Sequence, residues 1–112
     1  MAVARDTDAF FASASFPSSP TNIAFTVAAG SNRYMPVWFN WARQGTELTS
    51  APSWNGVSLT HVANYVHAGG PYGSLWELIA PTAGSFNLVV SHTGQTFSAF
   101  LGSYTGVDQV TP

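Results

Sequence analysis

Cysteine and lysine are both missing from this 112-residue chain. Without cysteine there is no disulfide framework and no thiolate zinc site, so stability has to come from packing or from assembly. Charge of either sign is scarce: 7% of residues are charged, against 46% hydrophobic. Disordered chains combine low hydrophobicity with high charge, so this composition excludes intrinsic disorder. The only cations are Arg5, Arg33 and Arg43, and the net charge is −2. A nucleic-acid partner would need a row of cationic phosphate contacts, which three arginines do not supply. No run approaches the roughly 20 consecutive apolar residues of a membrane helix, so no membrane partner is expected. The opening Met1-Ala-Val-Ala-Arg-Asp lacks a basic region followed by an apolar stretch, and no export signal is read there. No internal repeat is found.

What is present points to one folded β domain. The length suits a single core. Residues 17–21, Pro-Ser-Ser-Pro-Thr, read as a loop separating an N-terminal arm or first strand (residues 1–16) from a sandwich domain (residues 17–112). Ile23, Phe25 and Val27 alternate with Ala24 and Thr26, the period of a half-buried strand. From Tyr34 to Ala42 one parity carries Met35, Val37, Phe39 and Trp41, and the other carries Tyr34, Pro36, Trp38 and Asn40. Pro36 cannot donate to a ladder, which places it near the beginning of its strand or at an edge. Asn55-Gly56 supplies the positive φ angles of a type I′ turn, so a hairpin is expected there. Val57, Leu59, His61, Ala63, Tyr65 and His67 share a parity, as one strand or as two pieces broken near Asn64. Leu75 to Ala80 and Phe86 to Val90 read as further strands, Thr93-Gly94 as a hairpin turn, and Thr96 to Tyr104 as the last strand. This gives about seven or eight short strands with turns between them and no helical period: an all-β, antiparallel β-sandwich or jelly-roll fold.

Candidates for chemistry are few. His61, His67 and His92 are the imidazoles a metal would use. His61 and His67, however, lie six residues apart, about 20 Å along a strand at ~3.3 Å per residue, and no metal site is expected. A glycosidase needs two carboxyls facing each other across a cleft. Glu47 and Glu77 are the available pair, but Glu77 within Leu75-Trp76-Glu77-Leu78 is expected to face solvent or pair with Arg33 or Arg43. There is no Gly-x-Ser-x-Gly elbow to carry a nucleophilic serine. The chain is read as a non-enzyme with no cofactor. Aromatic rings are the remaining signal, because exposed rings stack on sugars or anchor interfaces. Trp41 and Trp76 are expected in the core. Trp54 beside its turn, Tyr72 in Gly-Pro-Tyr-Gly and His67 are expected on the surface as possible binding residues, and Phe10, Phe11 and Phe16 on the arm as assembly residues.

Four motifs carry a resemblance: Ser31-Asn32-Arg33-Tyr34-Met35-Pro36-Val37, Trp54-Asn55-Gly56-Val57-Ser58-Leu59-Thr60, Leu75-Trp76-Glu77-Leu78-Ile79-Ala80-Pro81 and Gly106-Val107-Asp108-Gln109. Their order and spacing, over about two-thirds of the chain, are similar to a β-sandwich module that recurs in phage structural proteins and in bacterial surface and secreted proteins. Similar proteins often continue past the Gly-Val-Asp-Gln stretch, which leads to the expectation of a sandwich completed by a partner's strand. The resemblance transfers no catalytic residue. It implies a virion structural protein, such as a capsid decoration or accessory protein. Such a protein would work through repeated contacts with itself, as a homo-oligomer such as a trimer, and with other virion proteins such as the major capsid protein, its unpaired strand edges inviting a neighbour's strand. The alternative is a carbohydrate- or receptor-binding module of a tail fibre or bacterial cell surface, with glycan as partner.

Overall fold

The structure, a computed structural model, describes residues 3–12, 18–41, 48–66, 72–94 and 96–110. It is an all-β, antiparallel β-sandwich. Nine strands are found among these residues: β1 (Ala4–Ala12), β2 (Thr21–Val27), β3 (Tyr34–Trp41), β4 (Ser53–Trp54), β5 (Val57–Ser58), β6 (Thr60–Val66), β7 (Tyr72–Ile79), β8 (Gly84–Val90) and β9 (Phe97–Thr105). They form a five-stranded sheet in the order β1-β9-β3-β7-β6 and a four-stranded sheet in the order β2-β8-β4-β5. Every pairing is antiparallel.

Alternation in the sequence fills the space between the sheets. Ile23, Phe25 and Val27 of β2, Trp54 of β4 and Leu88 and Val90 of β8 face Met35, Val37, Phe39 and Trp41 of β3 and Phe97, Ala99 and Leu101 of β9, all buried. Period-two side chains from both sheets thus interdigitate into one core. Arm residues 4–12 lie in their own chain's five-stranded sheet as its first strand, Phe11 packing on Phe97 with centroids 5.6 Å apart.

The Asn55-Gly56 turn forms as expected. Both residues have positive φ, 47° and 79°, and Trp54 pairs with Val57 across them. Pro36 sits in a central strand, third from its start. The β3–β9 ladder runs from Tyr34 opposite Tyr104 to Val37 opposite Leu101 without a pair at Met35 or Pro36, so the missing N–H is accommodated by an interrupted ladder.

Two connections differ from the sequence reading. The long shared parity after Val57 breaks first at Leu59, upstream of the break expected near Asn64, because β5 and β6 belong to different sheets. Leu59 is buried at the corner, and its N–H donates to the Pro52 carbonyl at 2.8 Å. Within β6 a bulge between His61 and Ala63 then shifts the register. Thr93-Gly94 likewise does not close a hairpin, since β8 and β9 lie in opposite sheets and the chain crosses between them.

The buried ring of His92 ties this crossing down. Its Nδ1 accepts the Gly94 N–H at 2.9 Å, its Nε2 lies 2.8 Å from the Thr21 hydroxyl, and its backbone N–H donates to Ser19 Oγ at 2.9 Å. Burial holds the imidazole pKa below its ordinary value, so the neutral ring is favoured.

Candidate functional site

The outer face of the five-stranded sheet carries the concentration of apolar side chains that the core does not use. Its strands place one row in register: Phe10 opposite Phe100, Phe100 opposite Trp38, Trp38 opposite Leu75, and Leu75 opposite Ala63. At ~4.8 Å between strands, this apolar row runs about 19 Å across all five. Phe10 and Phe100 are 59% and 54% exposed, and their rings touch at a centroid distance of 4.8 Å, tilted by 46°.

A parallel row carries Ala12, Ser98, Asn40, Gly73 and Tyr65, and another carries Arg5, Tyr104, Tyr34 and Ile79. Trp38 lies flat on the sheet. A Cβ placed on Gly73 would come within 3.0 Å of its ring, so glycine is what lets the indole settle there, and the indole N–H donates to Asn40 Oδ1 at 3.0 Å.

The charges on this face already have partners. Arg5 pairs with Asp8 at 2.8 Å, and Glu77 accepts the Tyr34 hydroxyl at 2.8 Å rather than an arginine. Arg33 instead donates to the carbonyls of Pro81 and Gly30, each at 2.8 Å. Burial first, then the hydrogen bond to Glu77 and its charge, push the Tyr34 phenol up to about 12.

The sequence-derived site residues do not converge. Trp54 is fully buried, which corrects its assignment to the surface. The two-residue turn leaves only Asn55 and Gly56 outside the ladder, so Trp54 is a strand residue facing inward, edge-on to Phe25 and Phe86, with its N–H donating to the Thr82 carbonyl at 3.0 Å. Tyr72 is not in a loop: it opens β7, opposite Trp41, and is half-buried against the core. His67, Phe16, Glu47 and Arg43 lie outside the described residues. Of the arm residues, Phe10 is exposed and Phe11 turns inward. Trp76 is half-buried rather than buried.

Sequence reasoning missed Phe100, Trp38 and Leu75 as a group. The signal was available, because Phe100 and Trp38 stand on the parity opposite to the buried set of their own strands, where polar residues would ordinarily sit. What could not be read was that three strands distant in sequence bring them into one row.

Among the described residues no three His, Asp or Glu side chains gather where they could hold a metal, and no helix is long and apolar enough to cross a membrane. Comparison with protein-family models, with curated proteins and with solved structures finds no match.

Proposed function

We propose that the protein is a structural subunit that works by protein–protein contact, with the outer face of the five-stranded sheet as its interface and a second copy of the same chain as the occupant. The observation that carries this reading is the in-register row Phe10, Phe100, Trp38, Leu75 and Ala63, with two phenylalanines more than half exposed at one end. Phenylalanine has no polar edge with which to orient a sugar, and the pair is tilted rather than coplanar, so the face suits protein better than glycan.

Area supports a second copy. Five strands at ~4.8 Å and eight residues at ~3.3 Å give about 600 Å² of projected face, close to the ~800 Å² per partner of a specific interface. An apolar row needs an apolar counterpart, and the chain's own row is one. Burial at ~25 cal/mol per Å² supplies the attraction. With the charges of the face already partnered, few unpaired charges oppose the approach. A face that meets itself generates a two-fold axis. The larger setting that the sequence motifs suggest, a virion shell or its accessory layer, would use such pairs as repeated contacts.

The test is the solution mass by light scattering over a concentration series, for the wild type and for the double variant Phe10→Ser/Phe100→Ser. A wild-type dimer or higher oligomer that becomes a monomer in the variant, with unchanged circular dichroism and Tm, is the expected result. A wild type that stays monomeric throughout, or an oligomer indifferent to both substitutions, would rule the interface out.

A further inference from the structure

The inner face of the five-stranded sheet is not covered along its whole length. Near the end of β3 the four-stranded sheet gives way to residues 48–51. These are tied back by the bridge between Leu48 and His92 and by the Thr49 N–H donating to the Ser91 carbonyl at 3.0 Å. Between this segment and the inward side chains of β6 and β7 opens a cleft of about 420 Å³. That is within the range of small-molecule sites.

Three aromatic rings line the cleft: Trp41 of β3 and Tyr72 and Trp76 of β7. Polar groups stand among them. His61 Nε2 and Asn64 Oδ1 are 2.7 Å apart, an arrangement that leaves the Asn64 amide NH₂ to donate elsewhere, and the His61 ring leans on Trp76 with centroids 4.9 Å apart. Ser74 is buried and accepts the Trp76 indole N–H at 3.2 Å, which leaves its own hydroxyl hydrogen to donate.

The cleft also contains an unmet demand. Trp41 is 1% exposed, and its indole nitrogen is the one buried side-chain polar atom among the described residues with no hydrogen-bond partner. Buried donors are ordinarily satisfied, and Trp41, which lines the cleft, leaves this one without an acceptor from the chain.

We infer that this cleft binds a saccharide. Aromatic walls pack on the apolar C–H faces of a sugar ring, while the Asn64 amide, the Ser74 hydroxyl and the imidazole of His61 meet its hydroxyls. Among the described residues no carboxylate or arginine lines the cleft, so ring packing and hydrogen bonds rather than ion pairs make the fit. A ring oxygen or hydroxyl supplies the acceptor that the Trp41 N–H lacks. Because that nitrogen is buried, the lining has to open for the contact to form. The site shares no residue with the outer face, so it stands or falls independently of the dimer.

The experiment is a titration of the uniformly ¹⁵N-labelled full chain with glucose, galactose, N-acetylglucosamine, lactose, maltose and cellobiose, each to about 10 mM, well above millimolar dissociation constants. The resonances followed are the indole N–H signals of the four tryptophans. A saturable shift of the Trp41 and Trp76 indoles with at least one sugar is expected. Trp76→Ala and Asn64→Ala should each weaken binding about tenfold or more, while Phe10→Ser/Phe100→Ser leaves it unchanged. Asn64 is exposed and Trp76 is only half-buried at the margin of the core, so both variants should fold, as the remaining indole signals would report. No shift with any sugar overturns the inference, as does a shift that survives both cleft substitutions or is confined to Trp38 on the outer face.

Discussion

Tyr34 shows how a single side chain acquires a property that its residue type does not have. It sits on the outer face of β3, half-buried, with its hydroxyl donating to Glu77 at 2.8 Å. Burial disfavours the phenolate most, and ionising it would also lose that hydrogen bond and set a phenolate beside a carboxylate, so the phenol is pushed from 10.0 to about 12. The folded protein keeps this proton over a range where the unfolded chain has released it, and stability therefore falls as pH rises from about 10 towards 12. Ultraviolet titration should accordingly show one tyrosine resisting ionisation until about 12, and Glu77→Gln should bring its pKa down towards the ordinary value of 10.0. A Tyr34 that titrates normally in the wild type would mean that neither its burial nor the Glu77 contact persists in solution. Trp54 carries a related lesson. Position beside a turn suggested exposure, but the pleat decides exposure, and a two-residue turn returns the very next residue to the ladder.

Among the strands, the β4–β5 hairpin is the element that local chemistry specifies most tightly. Asn55 and Gly56 take φ of 47° and 79°, the combination that lets two residues reverse the chain. A Cβ on Gly56 would meet nothing within 4 Å. Gly56→Ala should therefore cost only its backbone strain, about 1 kcal/mol or somewhat more. Urea denaturation would show this as a lower midpoint at unchanged slope. A loss of several kcal/mol would mean that the hairpin does more than turn the chain, since β4 pairs with β8 and places Trp54 in the core. The first strand, β1, is different, because nothing in its nine residues says which neighbour it joins. In the fold it covers the edge of β9, and Asp6 accepts the Ala28 N–H at 3.0 Å while the Thr7 hydroxyl donates to the Thr26 carbonyl at 2.7 Å, linking it to the opposite sheet. Deleting the segment would remove part of the domain along with any interface on it, which is why point substitutions on the outer face are the cleaner probe of assembly.

Across the domain, His92 links the end of β8, the start of β2 and the turn before β9, so its protonation bears on the stability of the entire sandwich. The Gly94 N–H already points at Nδ1, and a second proton there would face a donor in a buried site. The folded pKa is lowered from 6.5 by burial, so the unfolded state binds more protons as pH drops through that value. Stability contributed by the neutral ring is thus fully present above about 6.5 and is lost as pH falls from there towards the lower folded pKa. Thermal melts between pH 7.5 and about 5 should show Tm declining in the wild type. His92→Asn keeps an acceptor near Nδ1 but cannot titrate, and should flatten the slope. An equal slope in both proteins would place the acid sensitivity elsewhere.

Read from residues alone, the chain already dictated its class. The period-two runs at Ile23–Val27 and Phe97–Leu101 marked their strands, Asn55-Gly56 chose its turn, and the scarcity of charge made contact with neighbours the expected mode of action, while Tyr34–Ala42, apolar on both parities, left its buried face open. These are local properties, set by pleat geometry and by which side chains water rejects, and they hold whatever the strands pair with. Pairing itself is non-local. That β8 and β9 part into opposite sheets, that β5 hands over to β6 at Leu59, and that Phe10, Phe100, Trp38 and Leu75 fall into one row all depend on contacts between residues far apart in sequence. The cleft at Trp41 depends further on where the four-stranded sheet stops covering its partner. Both candidate surfaces were therefore decided by the tertiary structure, because a surface is made by neighbours in space and periodicity reports only on neighbours along the chain.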